Sequence, residues 1–441
     1  MRKHAMLLVC TGIGVLAAMP GHAQTTAQDP GYGPDPQLPA PEKGLIPTVN
    51  IARVERWAPG EKPNAAQGFM VAAYAADFDH PRWLYVLPNG DVLVAETNTP
   101  PKETRGLKSF IMKQVQKIAG AGAQTPNRIT LLRDADKDGK PETRSMFLKD
   151  LYSPFGMALV GNDFYVANAD SVMRFPYKEG QTEITAAGTK LTDLPGGPIN
   201  HHWTKSLVAS PDGSKLYVGV GSNSNVAENG IEAENRRAAI LEIDRATGQS
   251  RVFASGLRNP VGLAWQPDSG ALWVAVNERD ELGDNLVPDY ITSVRDGAFY
   301  GWPYSYYGTH VDDRVSPQRP DLVAKAIVPD YALGSHTASL GLTFYQAHAF
   351  PDRFRNGAFI GQHGSWNRSE RSGYKVIFVP FADGRPVGQP EDILTGFLNQ
   401  DGRARGRPVG VAVDSTGAIL VADDVGNVIW RVSAANAAPG N

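Results

Sequence analysis

The sequence predicts an all-β chain folded as a six-bladed β-propeller, and three observations predict it. Six segments share short apolar alternation, a turn of Pro, Asp, Asn, Ser or Gly, and a second short strand; they begin at Pro81, Pro154, Ser206, Pro260, Leu340 and Pro408. Period-2 alternation across turn signals is the pattern of β-hairpins. Three of the copies, at Pro154, Pro260 and Pro408, carry P-[FV]-G-[MLV]-A at the same offset. Finally, 46 glycines and 33 prolines in 441 residues are a turn-rich level that suits a β protein. The 50 to 80 residues between copies hold two further strands and a loop, so each unit is a four-stranded blade. Six blades closed in a ring protect their edges by radial repetition. A pair of Greek-key sandwiches is the rival, but it gives no reason for the recurring P-x-G-x-A.

The ends of the chain read differently from its middle. Arg2, Lys3 and His4 precede the apolar run Ala5 to Ala18, and Gly21-His22-Ala23 supplies small residues at a signal-peptidase site. The expectation is a signal peptide over 1–23 and export to the periplasm or medium, with no integral membrane segment after cleavage. An uncleaved anchor is the alternative, but the run is shorter than the ~20 residues a bilayer needs. Cleavage removes Cys10, the single cysteine, and takes the net charge from −3 to −5. The mature chain then has no disulfide and no thiolate site. Residues 24–48 read as an extended Pro-rich leader, 49–435 as one propeller domain and 436–441 as a flexible tail. Near-balanced charge, 43 Lys+Arg against 46 Asp+Glu, shows none of the basic excess that marks a nucleic-acid partner.

A propeller dictates where function sits. Loops entering the inner strands converge at one mouth of the central channel, so polar residues just before each repeat meet there. His201-His202 precede the third repeat, Arg258-Asn259 the fourth, and Arg405 and Arg407 the sixth; the second has only Ser153. Arginines beside a base suit an oxygen-rich anionic ligand, because guanidinium groups grip carboxylates bidentately. Taken singly, His202 is a turn or core residue, Arg258 a loop charge and Asn259-Pro260 a turn signal. Their common offset from the repeats singles them out. A second, acidic stretch, Asn277-Glu278-Arg279-Asp280-Glu281-Leu282-Gly283-Asp284, offers hard oxygen ligands that suit Ca²⁺, against the plainer reading of solvated loop carboxylates. Asp134-Ala135-Asp136-Lys137-Asp138-Gly139 opens like an EF-hand loop, but its twelfth position is Ser145, so it reads as a hairpin turn with at most weak Ca²⁺ binding. The chain has no HExxH, GxSxG, Walker A or CxxCH motif.

These residues resemble a known family. GLRNPVGLAW at 256–265, YGWP at 300–303 and RGRPVGVAV at 405–413 are similar to the soluble quinoprotein glucose and aldose sugar dehydrogenases. NHHW at 200–203, SPFGMALVG at 153–161 and GSWNR at 364–368 resemble the sorbosone dehydrogenase branch. The resemblance runs from about residue 65 to 432. It implies a six-bladed propeller that binds pyrroloquinoline quinone (PQQ) with Ca²⁺ at the channel mouth and oxidises sugar aldehydes or hemiacetals. It further implies that His202 is the general base, that Arg258 and Asn259 contact the quinone, that Arg405 and Arg407 grip PQQ carboxylates, and that Asn367 or Arg368 falls near the position of the family's PQQ-contacting lysine. His201 lies beside the cofactor, while Glu278, Arg279 and Asp280, largely through main-chain carbonyls, and Asp284 hold Ca²⁺. Ca²⁺ and Arg258 would polarise the quinone while His202 takes the substrate hydroxyl proton. Without a haem motif, electrons leave to a separate periplasmic carrier or diffusible quinone.

Three departures from the family pattern stand out. His201 replaces the acidic residue that precedes the base, Pro154 falls where the glucose enzymes place a glutamine, and Arg279-Asp280 replaces Gly-Pro in the Ca²⁺ loop. Two readings from other classes are open at this point: a metal-dependent propeller lactonase or hydrolase, and a non-catalytic propeller binding module.

Overall fold

The computed structural model describes residues 31–42, 48–101 and 125–435. The signal-peptide segment 1–23 and the tail 436–441 lie outside the described residues. The fold is a six-bladed β-propeller whose inner strands are Pro81–Val86, Met157–Val160, Leu207–Ala209, Pro260–Trp265, Ser339–Phe344 and Pro408–Val413, each heading its own antiparallel sheet. They fall on the six repeats read from the sequence. Helix among the described residues is confined to Pro320–Val323 and two 3₁₀ turns, Ile231–Glu234 and Asp352–Phe354.

Blade geometry explains the strand sequences. The second strands, such as Val92–Glu96, Leu272–Val276, Ala358–Gln362 and Ile419–Asp423, are buried along their whole length. Blades pack on both their faces, so these strands read as continuous apolar runs rather than alternating ones. Each fully buried Val, Leu or Ile contributes roughly 1.5–3 kcal/mol. The outer strand Phe69–Ala75 alternates buried and exposed positions because one face meets water.

The ring is closed by strand pairing. Phe69–Ala75, from the N-terminal side, forms the outer strand of the sixth blade by pairing antiparallel with Val428–Ala434. Part of the Pro-rich leader also adds to a sheet, Tyr32–Gly33 pairing with Tyr331–Ser335 on the fourth blade. Asn64–Ala65 does the same on the fifth.

The repeated P-x-G-x-A motif has a steric cause. A Cβ on Gly262 would lie 2.7 Å from the Leu340 carbonyl oxygen, one on Gly341 would lie 2.1 Å from that of Val409, and one on Gly410 would lie 2.8 Å from that of Arg82. Inner strands of successive blades therefore approach backbone to backbone around the axis, and side chains there are excluded. In four inner strands the ladder shifts register at this point, between Pro81/Trp83, Pro260/Gly262, Ser339/Gly341 and Pro408/Val411. Such bulges re-aim one side chain. Phe155, Val261, Leu340 and Val409, with Trp203, form a buried apolar cluster drawn from five successive blades. The polar residues preceding these positions lie above it.

Candidate active site

His202 enters the mouth just before Trp203. Its peptide N–H donates to the Ser222 carbonyl at 3.2 Å. Its Nδ1 lies 2.9 Å from the same carbonyl and 3.0 Å from Ser222 Oγ, whose own proton goes to the Ser224 carbonyl at 2.6 Å. A carbonyl only accepts, so Nδ1 carries the proton and Nε2 is left with its lone pair. Ser222 thus fixes the tautomer that an acidic neighbour would otherwise fix, and His201 in the place of that acid does not disturb it. Burial, then the positive charge of Arg258, holds the His202 pKa well below its ordinary value, so the ring is neutral near pH 7. Arg237 supports the loop from below, donating to the Asn200 side chain at 2.9 Å and the His202 carbonyl at 3.1 Å.

Arg258 and Asn259 stand next in the ring. The Arg258 carbonyl accepts from the Ser222 peptide at 2.8 Å, which couples the two loops. Its buried guanidinium donates to the Glu278 carbonyl at 2.6 Å and to Asn225 Oδ1 at 3.0 Å, and lies 3.5 Å from Asp280. Arg258 Nε and Asn259 Oδ1 are buried without a partner. Beyond Arg258, Asp280 Oδ1 is 3.3 Å from His336 Nδ1, and His336 Nε2 donates to the Gly283 carbonyl at 2.9 Å. Both ring nitrogens of His336 face acceptors; its pKa is raised, since Asp280 outweighs the burial that opposes protonation. Burial alone would raise Asp280 as well, but His336 and Arg258 hold it at about 2. Asn367 lies beside this carboxylate.

The acidic loop does not present an open set of oxygens to Ca²⁺. The Glu278 carbonyl receives Arg258, and the Asp280 carbonyl receives Arg279 Nη2 at 2.7 Å and Asn225 at 3.1 Å. The buried Arg279 guanidinium also pairs with Asp312. Guanidinium groups therefore already bond the Glu278 and Asp280 carbonyls, and a cation bound through those oxygens would compete with Arg258 and Arg279. The Glu278 carboxyl is buried, which pushes its pKa up to about 7. Asp284 is outside this group: it accepts from the Ser369 peptide at 3.0 Å and ties the 364–372 loop to the rim, where Arg368 donates to Asn285 at 2.9 Å. The Asp134, Asp136, Asp138 and Glu142 carboxylates do gather on a turn of the first blade. Asp134 and Glu142 cap that turn's own backbone, accepting from Gly139 at 2.9 Å and Ala135 at 2.8 Å.

Of the two arginines before the sixth blade, only Arg407 faces the mouth cluster. Arg407 is 4% exposed, its guanidinium lies 5.0 Å over the Tyr374 ring, and its Nε and Nη2 are buried without an acceptor. Arg405 is 30% exposed and turned to Glu61 at 3.1 Å, with its guanidinium near the Trp57 ring. The two share a sequence pattern, but the segment before the first blade takes up only Arg405.

The structure also adds residues that the sequence reading did not name. Asp424, after the second strand of the sixth blade, lies 2.5 Å from Arg82, 3.0 Å from His363 Nε2 and 3.5 Å from His80 Nε2. Extending the pre-strand test to the first and fifth repeats would have reached His80 and His336, whereas Arg82 lies within the repeat at Pro81, where that test does not look. His363 and Asp424 follow second strands, a position that test does not cover.

The mouth of this six-bladed propeller combines a neutral histidine with buried guanidinium groups lacking acceptors among the described residues, an arrangement whose donors suit a small, oxygen-rich anion. Comparison with known proteins names the class more closely. The family model for glucose/sorbosone dehydrogenase matches residues 160–424. The chain is 31% identical over 296 residues to an uncharacterized protein of Borreliella burgdorferi, covering 64% of this chain and 76% of that one. It is 24% identical over 193 residues to the aldose sugar dehydrogenase YliI of Escherichia coli, covering 41% of this chain and 50% of that one. The holo form of the pyranose dehydrogenase PQQ domain from Coprinopsis cinerea superposes with a TM-score of 0.67 at 20% identity, covering 87% of this chain and all of that domain, and so shares the fold. The chain belongs to the glucose/sorbosone dehydrogenase family.

Proposed function

We propose that the protein is an exported quinoprotein dehydrogenase that binds PQQ at the channel mouth and oxidises a sugar or sugar-derived aldehyde, aldose or sorbosone-like. The observation that carries this reading is the combination of buried, acceptor-free guanidinium nitrogens on Arg407 and Arg258 with a histidine whose Nε2 is free to accept. PQQ is planar and bears carboxylates, which such donors fit. When bound, it supplies the oxidant that accepts a hydride from the substrate carbon.

The chain's own groups do the rest. His202 Nε2 takes the proton of the substrate hydroxyl, an aldehyde reacting as its hydrate or hemiacetal. Arg258 presents fixed positive charge where negative charge develops, and its anchoring to the Glu278 carbonyl spares reorganisation during the reaction. Trp203 and the apolar cluster close the channel below the reacting groups. A metal-dependent hydrolase would need free carboxylates, and Asp280 and Asp312 are instead paired with His336, Arg258 and Arg279. No helix among the described residues is long and apolar enough to cross a membrane. Electrons leave to a separate acceptor.

The test is titration of EDTA-treated protein with PQQ, with and without Ca²⁺, followed by dye reduction with a panel of aldoses and aldehydes. Saturable binding with sugar-dependent dye reduction is expected; absence of PQQ binding overturns the reading. A strict Ca²⁺ requirement would mean that Arg258 releases the Glu278 carbonyl on loading.

The pH profile follows from His202. A base works deprotonated, and its depressed pKa keeps it so below pH 6.5, activity falling only as pH drops through that lowered value. The acid limb of kcat/KM is therefore expected well below pH 6.5, and a limb at 6.5 or above would place the base elsewhere.

A further inference from the structure

The first blade departs from the pattern that the second, fourth, fifth and sixth blades follow at the axis. Where the repeat puts Phe155, Val261, Leu340 and Val409 into the apolar cluster, it puts Arg82, inside the register shift between Pro81 and Trp83. The Arg82 side chain is 13% exposed and its guanidinium lies 5.7 Å over the Trp203 ring, directly beside the His202 loop. A buried cation is costly unless it is paired. Its partner is Asp424, 1% exposed, which also faces His363 and His80. Burial would raise the Asp424 pKa, but His363, His80 and Arg82 outweigh it and hold the carboxyl ionised. Burial keeps both histidines neutral, His80 at about 4.

The charges do not balance within this cluster. The Arg407 charge reaches both Arg82 and His363. Asp423, the next carboxylate, is turned away: its oxygens accept from Trp57, Trp430 and the peptides of Arg407 and Gly426. Asp424 thus pairs with Arg82 and no carboxylate among the described residues pairs with Arg407, and Arg82 Nε with Arg407 Nε and Nη2 is buried without an acceptor there. Arg405, the other candidate, also has an Nε without an acceptor, but its side chain is 30% exposed and its Nη2 is taken up by Glu61 at 3.1 Å.

We propose that Arg82, set on Asp424, and Arg407 together form the carboxylate-binding subsite of the mouth, with Arg82 in the place that sequence pattern alone gives to Arg405. The inference rests on the PQQ reading above and names the residues that hold the cofactor's carboxylate.

The experiment measures PQQ binding by quenching of tryptophan fluorescence for wild type, Arg82→Gln, Arg407→Gln and Arg405→Gln, with thermal melts to check folding and PQQ trimethyl ester as a ligand without carboxylate charge. Arg82→Gln and Arg407→Gln are each expected to weaken PQQ binding by about tenfold or more, since each loses charge-assisted hydrogen bonds. Arg405→Gln is expected to stay within about twofold of wild type, and the ester to bind wild type and Arg82→Gln alike. PQQ affinity unchanged in Arg82→Gln, or an equal loss for the ester, overturns the proposal. If Arg82→Gln does not fold, Arg82→Lys decides: it keeps the charge and loses the fork, so weakened PQQ binding supports the subsite and full affinity overturns it. Failure of wild type to bind PQQ removes the functional reading itself, whereas wild-type binding with an indifferent Arg82→Gln removes only this inference.

Discussion

Replacing His202 with Gln is expected to lower kcat for sugar oxidation by about 10²–10⁴-fold, the usual worth of a positioned general base. Gln keeps a polar group that reaches Ser222, so the loop held by Arg237 retains its shape and PQQ binding is expected within about threefold of wild type. The pair of readouts separates chemistry from binding. A variant with full turnover removes His202 from the mechanism, and one that also loses PQQ affinity makes it a structural residue of the loop.

The second large effect is on stability. Gly341→Val places a branched side chain where even a Cβ would lie 2.1 Å from the Val409 carbonyl oxygen. Both sides of that contact are backbone of inner strands, so neither blade yields without opening the ring. Overpacking of this kind costs about 3 kcal/mol or more, a fall in Tm of roughly 4 °C or more for a domain of this size. Gly270→Ala is the control, since nothing lies within 4 Å of a Cβ there, although its φ of +66° carries a backbone cost of its own. Equal melting of wild type and Gly341→Val would show that the blades are not in contact along the axis as described.

That glycine also explains why the architecture was readable. The recurring P-x-G-x-A is the imprint of backbone crowding at the axis, present at Gly156, Gly262 and Gly410, with Gly341 crowded in the same way. Buried second strands add apolar runs of the right length, so blade number and position followed from one pattern. The site was readable only in part. His202, Arg258, Asn259 and Arg407 all sit within four residues before a repeat, which any reader of the sequence can measure. Arg405 shares that pattern, and only the chain path that brings Glu61 to it decides against it. His363 and Asp424 leave the sheets at the ends of second strands and meet Arg82 through closure of the ring, a contact between positions about 340 residues apart in sequence. Likewise, the carbonyls of the acidic loop look open in sequence, because nothing local announces that Arg258 and Arg279 fill them.

Pairing of Phe69–Ala75 with Val428–Ala434 brings the two ends of the described propeller side by side, so the order in which the blades are written along the chain carries no structural information. A permuted chain, with these ends joined by a short flexible linker and new termini opened in the exposed turn at Asp268–Gly270 between two strands of the fourth blade, keeps the pairing within the six blades and gives up only the added strands Tyr32–Gly33 and Asn64–Ala65. It is expected to melt as one cooperative unit and to bind the same ligand, as calorimetry and fluorescence titration would read. What it loses is the clasp as the place where opening begins: fraying would start in the fourth blade rather than in the sixth.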